Sequence, residues 1–236
     1  MLPLFDNVPV RRFAVVTYAL IAANLAVFVW KLGARGSRVD HYAFYPCAVS
    51  GPCHGPAVDH VAWPEGVFTG MFLHASWVHV LGNMLFLWIF GNNVEDALGR
   101  VRFFVWYIVA GLAATALQTV ITLTAGSVTD ASIPNIGASG AIAGVLGAYF
   151  VLLPRARVLT VIFIGIILIR EIQAYWFLGI WIALQIWSGG LSILSPQSGG
   201  GTAFFAHIGG FVFGIATILL VVKRRPTAPT ARYPVY

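Results

Sequence analysis

Five polar side chains lie within or beside strongly apolar stretches of the chain, and their residue types suit nucleophilic chemistry. They are His74, His79, Asn83, Ser139 and His207. A serine hydroxyl is a weak nucleophile until a base removes its proton, and a neutral imidazole can accept that proton and later release it to a leaving group. We therefore identify Ser139 as a candidate nucleophile and His207 as its candidate base.

A second group of side chains could stabilise the negative charge that such an attack creates. His79 and Asn83 are four residues apart, so on a helix they face the same side, and each can donate a hydrogen bond. The unpaired backbone N–H groups of a helix starting near Ser139 would add further donors. The apolar stretches contain no carboxylate at this depth, which predicts a dyad and not a triad.

Two other interpretations of these residues stay open. Histidine and serine in membrane helices often only hydrogen-bond one helix to the next. Intramembrane histidines can also ligate haem. Cys47 and Cys53 precede His54, but this spacing is not that of a usual zinc site, so we expect no metal and no cofactor.

The composition places these residues in a bilayer. The chain has 236 residues, of which 59% are hydrophobic and 9% charged, and its mean hydropathy is +0.85. Soluble domains carry about 25% charged residues. The net charge of +6 comes mostly from short loops beside apolar stretches, a pattern typical of membrane orientation and not of nucleic-acid binding.

We predict six membrane-spanning helices. Five apolar stretches are evident: Phe13–Trp30, Trp77–Phe90 with its flanks, Phe103–Leu123, Ile136–Leu153 and Ala203–Val222. Val158–Ile169 is too short to span, so we interpret it as an interfacial or re-entrant piece and Tyr175–Leu194 as the remaining span.

The positions of the positive charges predict the topology. Arg11 and Arg12 predict a cytoplasmic N-terminal segment, residues 1–12, and Lys223 begins a cytoplasmic tail, residues 223–236. The span-bearing domain is then residues 13–222, in a multi-pass protein of the cell membrane. In this topology the second, fourth and sixth spans run in the same direction, which brings His79, Ser139 and His207 to one depth near the extracytoplasmic side. Glycines and alanines around Ser139 and His207 would let their helices approach closely.

In four segments the sequence resembles the rhomboid family of intramembrane serine proteases. The segments are Met71–Met84, Gly91–Asp96, Gly137–Gly140 and Ala206–Gly210. The resemblance implies an all-α, six-helix transmembrane bundle of rhomboid type with a water-filled cavity open to the extracytoplasmic side. It also implies that single-span membrane proteins in the bilayer are the substrates and partners.

The resemblance assigns a role to each polar residue. Ser139 would be the nucleophile and His207 the general base, His79 and Asn83 would help form the oxyanion hole, and His74 would support the outer loop. Two positions depart from the family pattern. The stretch Trp63–Thr69 lacks the usual Trp-Arg pair, and Ala143 stands where some members place an aromatic ring against the catalytic histidine, so another side chain must hold His207.

Two loop features complete the expectations. Cys47 and Cys53 enclose five residues in an outer loop and could form a disulfide. The glycines and Pro196 of Ser188–Thr202 predict a mobile, non-helical cap over the candidate dyad. Two functions remain as alternatives: an intramembrane serine endopeptidase, or a non-catalytic membrane adaptor of the same fold that binds client helices.

Overall fold

The computed structural model describes residues 1–33, 36–163, 165–194 and 203–230. Ten α-helices are present in these residues: α1 Val15–Gly33, α2 Gly36–His41, α3 Trp63–Gly70, α4 Trp77–Phe86, α5 Asn92–Leu98, α6 Arg100–Ala125, α7 Val128–Ala131, α8 Ser139–Leu152, α9 Ala174–Leu194 and α10 Phe204–Val221. A π-helical turn, Leu87–Gly91, joins α4 to α5, and two 3-10 turns cover Pro46–Ala48 and Gly55–Val58. Three strands are β1 Leu2–Asp6, β2 Arg157–Phe163 and β3 Ile167–Gln173.

Four helices are long and apolar enough to cross a membrane. They are α1, α6, α9 and α10, and they agree with four of the expected spans. Helix α8 is apolar but has only 14 residues, and the second expected span is a helical run interrupted by the π-helical turn. The chain is therefore a mostly helical protein with membrane-spanning helices, and the complete six-span bundle remains a proposal.

Helix α8 lies at the centre of the helical assembly. All its residues from Gly140 to Tyr149 are buried, and α6 and α10 pack against it. A Cβ atom built on Gly210 would overlap the carbonyl of Gly140, and one on Gly214 would overlap the carbonyl of Gly144. Glycine on both helices is therefore what allows the backbones of α8 and α10 to touch, as the small-residue pattern predicts.

A three-stranded antiparallel sheet corrects the all-α expectation. Strand β2 is the central strand. It pairs with β3 along its whole length on one side, and with β1, the strand at the N-terminus of the chain, on the other. Val158–Ile169, predicted as an interfacial or re-entrant piece, instead forms β2 and the start of β3, with a turn at Gly165. The segment is rich in β-branched residues, and pairing with its neighbours satisfies the backbone groups that a short helix would leave open.

Two opposite ends of the molecule matter for function. The site end comprises residues 36–76, 126–139 and 203–207, and the basic end comprises residues 1–14, 95–102, 154–157 and 223–225. At the site end, Phe44 forms a β-bridge with Asn135, and the Gly137 N–H donates to the Gly70 carbonyl. These contacts fix the outer loop against the start of α8.

The outer loop has a small core of its own. Tyr45, Cys47 and Leu73 are nearly fully buried there, together with Val39, Ala43, Ala57 and Ala131. A disulfide joins Cys47 to Cys53, with 5.3 Å between their Cα atoms. Burial, with the charge of Asp40 nearby, raises the pKa of Tyr45 to about 12. The loop is a packed element that can hold His74 and the start of α4 in place.

Candidate active site

Ser139 and His207 lie in direct contact. The Ser139 Oγ is 2.8 Å from the His207 Nε2, a hydrogen-bond distance at which the hydroxyl can donate to the imidazole. Ser139 is the first residue of α8, and His207 lies in the first turn of α10. Both residues are only partly buried.

The glycine contacts between α8 and α10 explain this short distance. Gly210 lies one turn beyond His207 and contacts the carbonyl of Gly140, the residue after Ser139. Because neither helix has a side chain at these positions, the two backbones meet next to the dyad. A larger residue at either glycine would separate the two helices there.

The second nitrogen of His207 is also engaged, by a residue that sequence reasoning missed. The His207 Nδ1 lies 2.8 Å from the Gln185 Oε1 on α9. An amide oxygen can only accept, so Nδ1 carries the proton and Nε2 is left free to accept from Ser139. Gln185 therefore favours the tautomer in which the His207 Nε2 accepts from the Ser139 hydroxyl.

Trp181 places an aromatic ring against His207. Position 143 cannot supply such a ring, because it is an alanine. The Trp181 ring centroid lies 5.7 Å from that of His207, with 39° between the planes. Trp181 is one turn before Gln185, so α9 supplies both groups that hold the histidine. The sequence signal for Gln185 was its amide in the middle of an otherwise apolar span.

His79 and Asn83 gather around the turn that precedes Ser139. Gly137 has a φ of +121°, and a Cβ atom there would lie 2.8 Å from the His79 Nε2 and 3.7 Å from the Asn83 Nδ2. A residue with a side chain would be strained by this φ and would collide with His79. Gly137 thus lets the two donors approach the start of α8, where no side chain caps the first backbone N–H groups.

His74 orients Asn83. The Asn83 Nδ2 donates to the His74 Nε2 at 2.9 Å, and the His74 Nδ1 donates to the Phe72 carbonyl at 3.2 Å. Burial, and to a smaller extent the neighbouring His79, lowers the pKa of His74 to about 4, so the ring is neutral at ordinary pH. Lys31 ties α1 to the same loop by donating to the carbonyls of His74 and Ala75.

The predicted cap is only partly described. Helix α9 includes Gly189 and Gly190 and ends at Leu194, so the helix does not break at Ser188 as the glycines suggested. Gly189 instead allows close packing on Phe204 at the start of α10. Residues 195–202, which contain Pro196 and the remaining glycines of the predicted cap, lie outside the described residues.

Comparison with known proteins identifies the family. The Rhomboid domain matches residues 62–224, so the chain belongs to the rhomboid family, whose members are generally intramembrane serine proteases acting on transmembrane proteins in the bilayer. Rhomboid protein 1, mitochondrial, of Saccharomyces cerevisiae is 29% identical over 68% of this chain and 44% of its own length.

Two animal proteins are similarly related. Presenilin-associated rhomboid-like protein A, mitochondrial, of Danio rerio is 33% identical over 66% of this chain and 38% of its own length. Presenilin-associated rhomboid-like protein, mitochondrial, of Bos taurus is 30% identical over 83% of this chain and 46% of its own length. The chain thus spans less than half the length of these three relatives.

The names of these relatives correct the expected location. All three are called mitochondrial, which points to an organellar membrane, and the expectation of the cell membrane is wrong. The arginine pattern orients helices relative to a membrane but does not say which membrane it is. Charge counting in the sequence alone had no means of making that distinction.

Proposed function

We propose that this chain is an intramembrane serine endopeptidase of an organellar membrane, which cleaves transmembrane protein substrates with Ser139 and His207. The observation that carries the proposal is the chain of contacts from the Ser139 Oγ to the His207 Nε2 and from the His207 Nδ1 to Gln185, each 2.8 Å long. It provides a nucleophile, a base in the required tautomer and a group that orients the base.

The chemical steps follow from these positions. His207 accepts the Ser139 proton at Nε2 as the Ser139 oxygen attacks the substrate carbonyl. Gln185 stabilises the resulting imidazolium through the proton on Nδ1. His207 then returns the proton to the leaving amine, and a water molecule activated by the same nitrogen hydrolyses the acyl-enzyme.

The oxyanion of the tetrahedral intermediate would be held by neutral donors. The candidates are the His79 Nε2, the Asn83 amide and the first backbone N–H groups of α8, all of which border Gly137 or Ser139. One Asn83 N–H is occupied by His74, and the second remains available to the intermediate. Donors fixed before the reaction lower the barrier because they need no reorganisation during it.

Substrate access is proposed to occur beside α9. Only 17% of this span is buried within the protein, against 22% for α1 and 33% for α6 and for α10, and this low burial supports displacement of α9. We expect a single-span substrate to enter there and to unwind near the site end before cleavage. The catalytic domain is proposed to be residues 13–222, as a six-span bundle with shorter terminal segments 1–12 and 223–236.

The test is a cleavage assay in liposomes with a membrane-anchored reporter. Ser139→Ala should abolish cleavage, and Ser139 should react with a fluorophosphonate probe only when His207 is present. Ser192→Ala is the matched control, because Ser192 bonds within α9 to the Gly189 carbonyl. If the Ser139→Ala protein cleaves as the native protein does, the mechanism is wrong. If the native protein binds the reporter without cutting it, the adaptor alternative is correct.

A further inference from the structure

The basic end contains a cavity that the proposed chemistry does not use. Its volume is about 680 Å³, and it lies where the start of α1, the start of α6 and the end of α10 meet. Five cationic side chains line it: Arg12, Arg100, Arg102, Lys223 and Arg224. Only two carboxylates, Glu95 and Asp96, are present in its lining, so the cavity has an excess of positive charge.

The N-terminus of α6 adds to this positive potential. Arg100, Val101 and Arg102 line the cavity and form the first turn of α6, which no side chain caps. The first N–H groups of a helix lack intrahelical acceptors, and the helix dipole places partial positive charge there. Free N–H groups together with arginines form a site for a phosphate or similar anion.

The two carboxylates differ in their environment. Glu95 accepts hydrogen bonds from the backbone of Val16 and Thr17 and from the Thr17 hydroxyl, so it is occupied by α1. Asp96 is 9% exposed, and its Oδ1 has no hydrogen-bond partner among the described residues. A buried carboxylate oxygen without a partner is costly, and a ligand that brings a donor of its own would remove that cost.

The rim of the cavity shows where such a ligand comes from. Phe13 and Val101 line the cavity and expose 67% and 78% of their surface. Both residues stand at the ends of membrane helices, the level at which lipid headgroups lie. A free phosphate would contact the cations but would leave these apolar side chains uncovered.

We propose that this cavity binds a phospholipid headgroup that combines a phosphodiester with a hydroxyl donor. The phosphate contacts the arginines and the N-terminus of α6, the hydroxyl donates to the Asp96 Oδ1, and the acyl chains pass over Phe13 and Val101. The site is separate from Ser139, because it lies at the opposite end of α6 and α10. The lipid would join the starts of α1 and α6 to the end of α10.

The test measures lipid binding to the full chain in detergent, by native mass spectrometry and by the shift of the unfolding temperature. Three lipids are compared: phosphatidylglycerol, phosphatidylmethanol, which has the same charge but no hydroxyl, and phosphatidylcholine. We expect phosphatidylglycerol to bind most tightly and phosphatidylcholine least. Inorganic phosphate is the fourth probe, and binding of phosphate as tight as that of phosphatidylglycerol would overturn the lipid assignment.

Variants locate the site. Arg100→Gln with Arg102→Gln should weaken phosphatidylglycerol binding by about 25-fold, since each cation near a lipid surface contributes roughly fivefold. Arg155→Gln is the control, because Arg155 is an exposed arginine of the basic end outside the cavity lining. A weakening of about fivefold by this single substitution, the share of one cation, would show that binding is a general charge effect and would overturn the proposal.

A substitution of Asp96 tests whether the hydroxyl of the headgroup contributes to binding. Asp96→Ala should bring phosphatidylglycerol and phosphatidylmethanol to equal affinity, because the acceptor of the hydroxyl is gone. The substituted arginines are exposed, so the double arginine variant tests the site even if the Asp96 variant folds poorly. A preference for phosphatidylglycerol that survives in a folded Asp96→Ala protein would contradict the role of this carboxylate.

Discussion

The two ends of the molecule use polar groups in opposite ways. At the basic end, Asp6 and Glu95 are 1% and 3% exposed. Asp6 accepts from the Tyr149 hydroxyl at 2.6 Å and from the Asn93 amide at 2.7 Å, and Glu95 accepts three hydrogen bonds from α1. At the site end, Ser139 and His207 are only partly buried and are held by neutral groups.

This difference follows from the cost of burying charge. A buried carboxylate needs several donors or a positive potential, and the basic end supplies both through helix N-termini and arginines. Beside the site end, the ammonium group of Lys31 is already bonded to two carbonyls. A neutral glutamine orients His207 without adding a charge that nothing there would compensate. Buried carboxylates fix the fold at the basic end, and uncharged donors and acceptors hold Ser139 and His207 at the site end.

The largest effect that tests this contrast, apart from loss of Ser139 itself, concerns Asn83. Asn83→Ala should lower turnover by about 10²–10³, the usual effect of losing one oxyanion donor. It should also lower the unfolding temperature modestly, because the buried His74 Nε2 loses its donor. The loss of turnover should be smaller than for Ser139→Ala, because His79 and backbone donors remain. Unchanged turnover in the reporter assay would show that Asn83 serves packing and not catalysis.

The reciprocal experiment at the basic end concerns Glu95. Glu95→Gln weakens charge-assisted bonds to Val16 and Thr17, worth about 1.5–3 kcal/mol each in favourable cases, so folding stability should fall by roughly 2–3 kcal/mol. Turnover per folded molecule, counted by fluorophosphonate labelling, should be unchanged. Exposed Glu65 provides the control variant Glu65→Gln. A loss of turnover in correctly folded Glu95→Gln protein would show that the carboxylates of the basic end also affect the site, contrary to the contrast drawn above.

Gln185 tests whether a neutral group is enough to orient the base. Gln185→Leu should lower turnover by about tenfold, since a net hydrogen bond contributes about 1–1.5 kcal/mol. Gln185→Glu should restore activity and move the acid limb of the pH–rate profile to higher pH, because a carboxylate favours the protonated imidazole. Gln185 lies on α9, so displacement of α9 would also release His207. A pH profile identical in all three proteins would exclude a positioning role.

The contact between Ser139 and His207 could be predicted from the sequence because its signals are local. Ser139 and His207 are polar residues in apolar helices, and the glycines that bring them together follow at three- and four-residue spacing. Gln185 was missed because its only relation to His207 is through space: the two residues are 22 apart on different helices. No spacing rule links them.

The sheet was missed for a related reason. Val158–Ile169 is apolar on both faces, so it lacks the alternation that marks a strand, and its stability depends on β1, more than 150 residues earlier in the chain. Non-local pairing of this kind has no signature in a single segment. The identity of the membrane could not be predicted from the sequence either. The arginine bias gives the orientation of the helices in a bilayer but does not distinguish one membrane from another.

The smallest expected effect concerns His74, the buried residue that links the outer loop to Asn83. Its pKa is lowered to about 4 in the folded protein, against 6.5 for the free side chain. The unfolded chain therefore takes up a proton as pH falls below about 6.5, whereas the folded protein does so only near 4. His74 makes its full contribution to stability above pH 6.5 and loses it progressively as the pH falls to about 4.

This dependence can be isolated by substitution. His74→Gln keeps an acceptor for Asn83 but cannot titrate, so its unfolding temperature should fall less between pH 7 and pH 4.5 than that of the native protein. His79 and His207 are present in both proteins and cancel in the comparison. His54→Gln, at an exposed histidine of the same loop, should behave as the native protein does. Parallel pH curves for the native and His74→Gln proteins would show that His74 does not hold Asn83 as a neutral acceptor, and the buried polar groups of the site end would then lack their link to the outer loop.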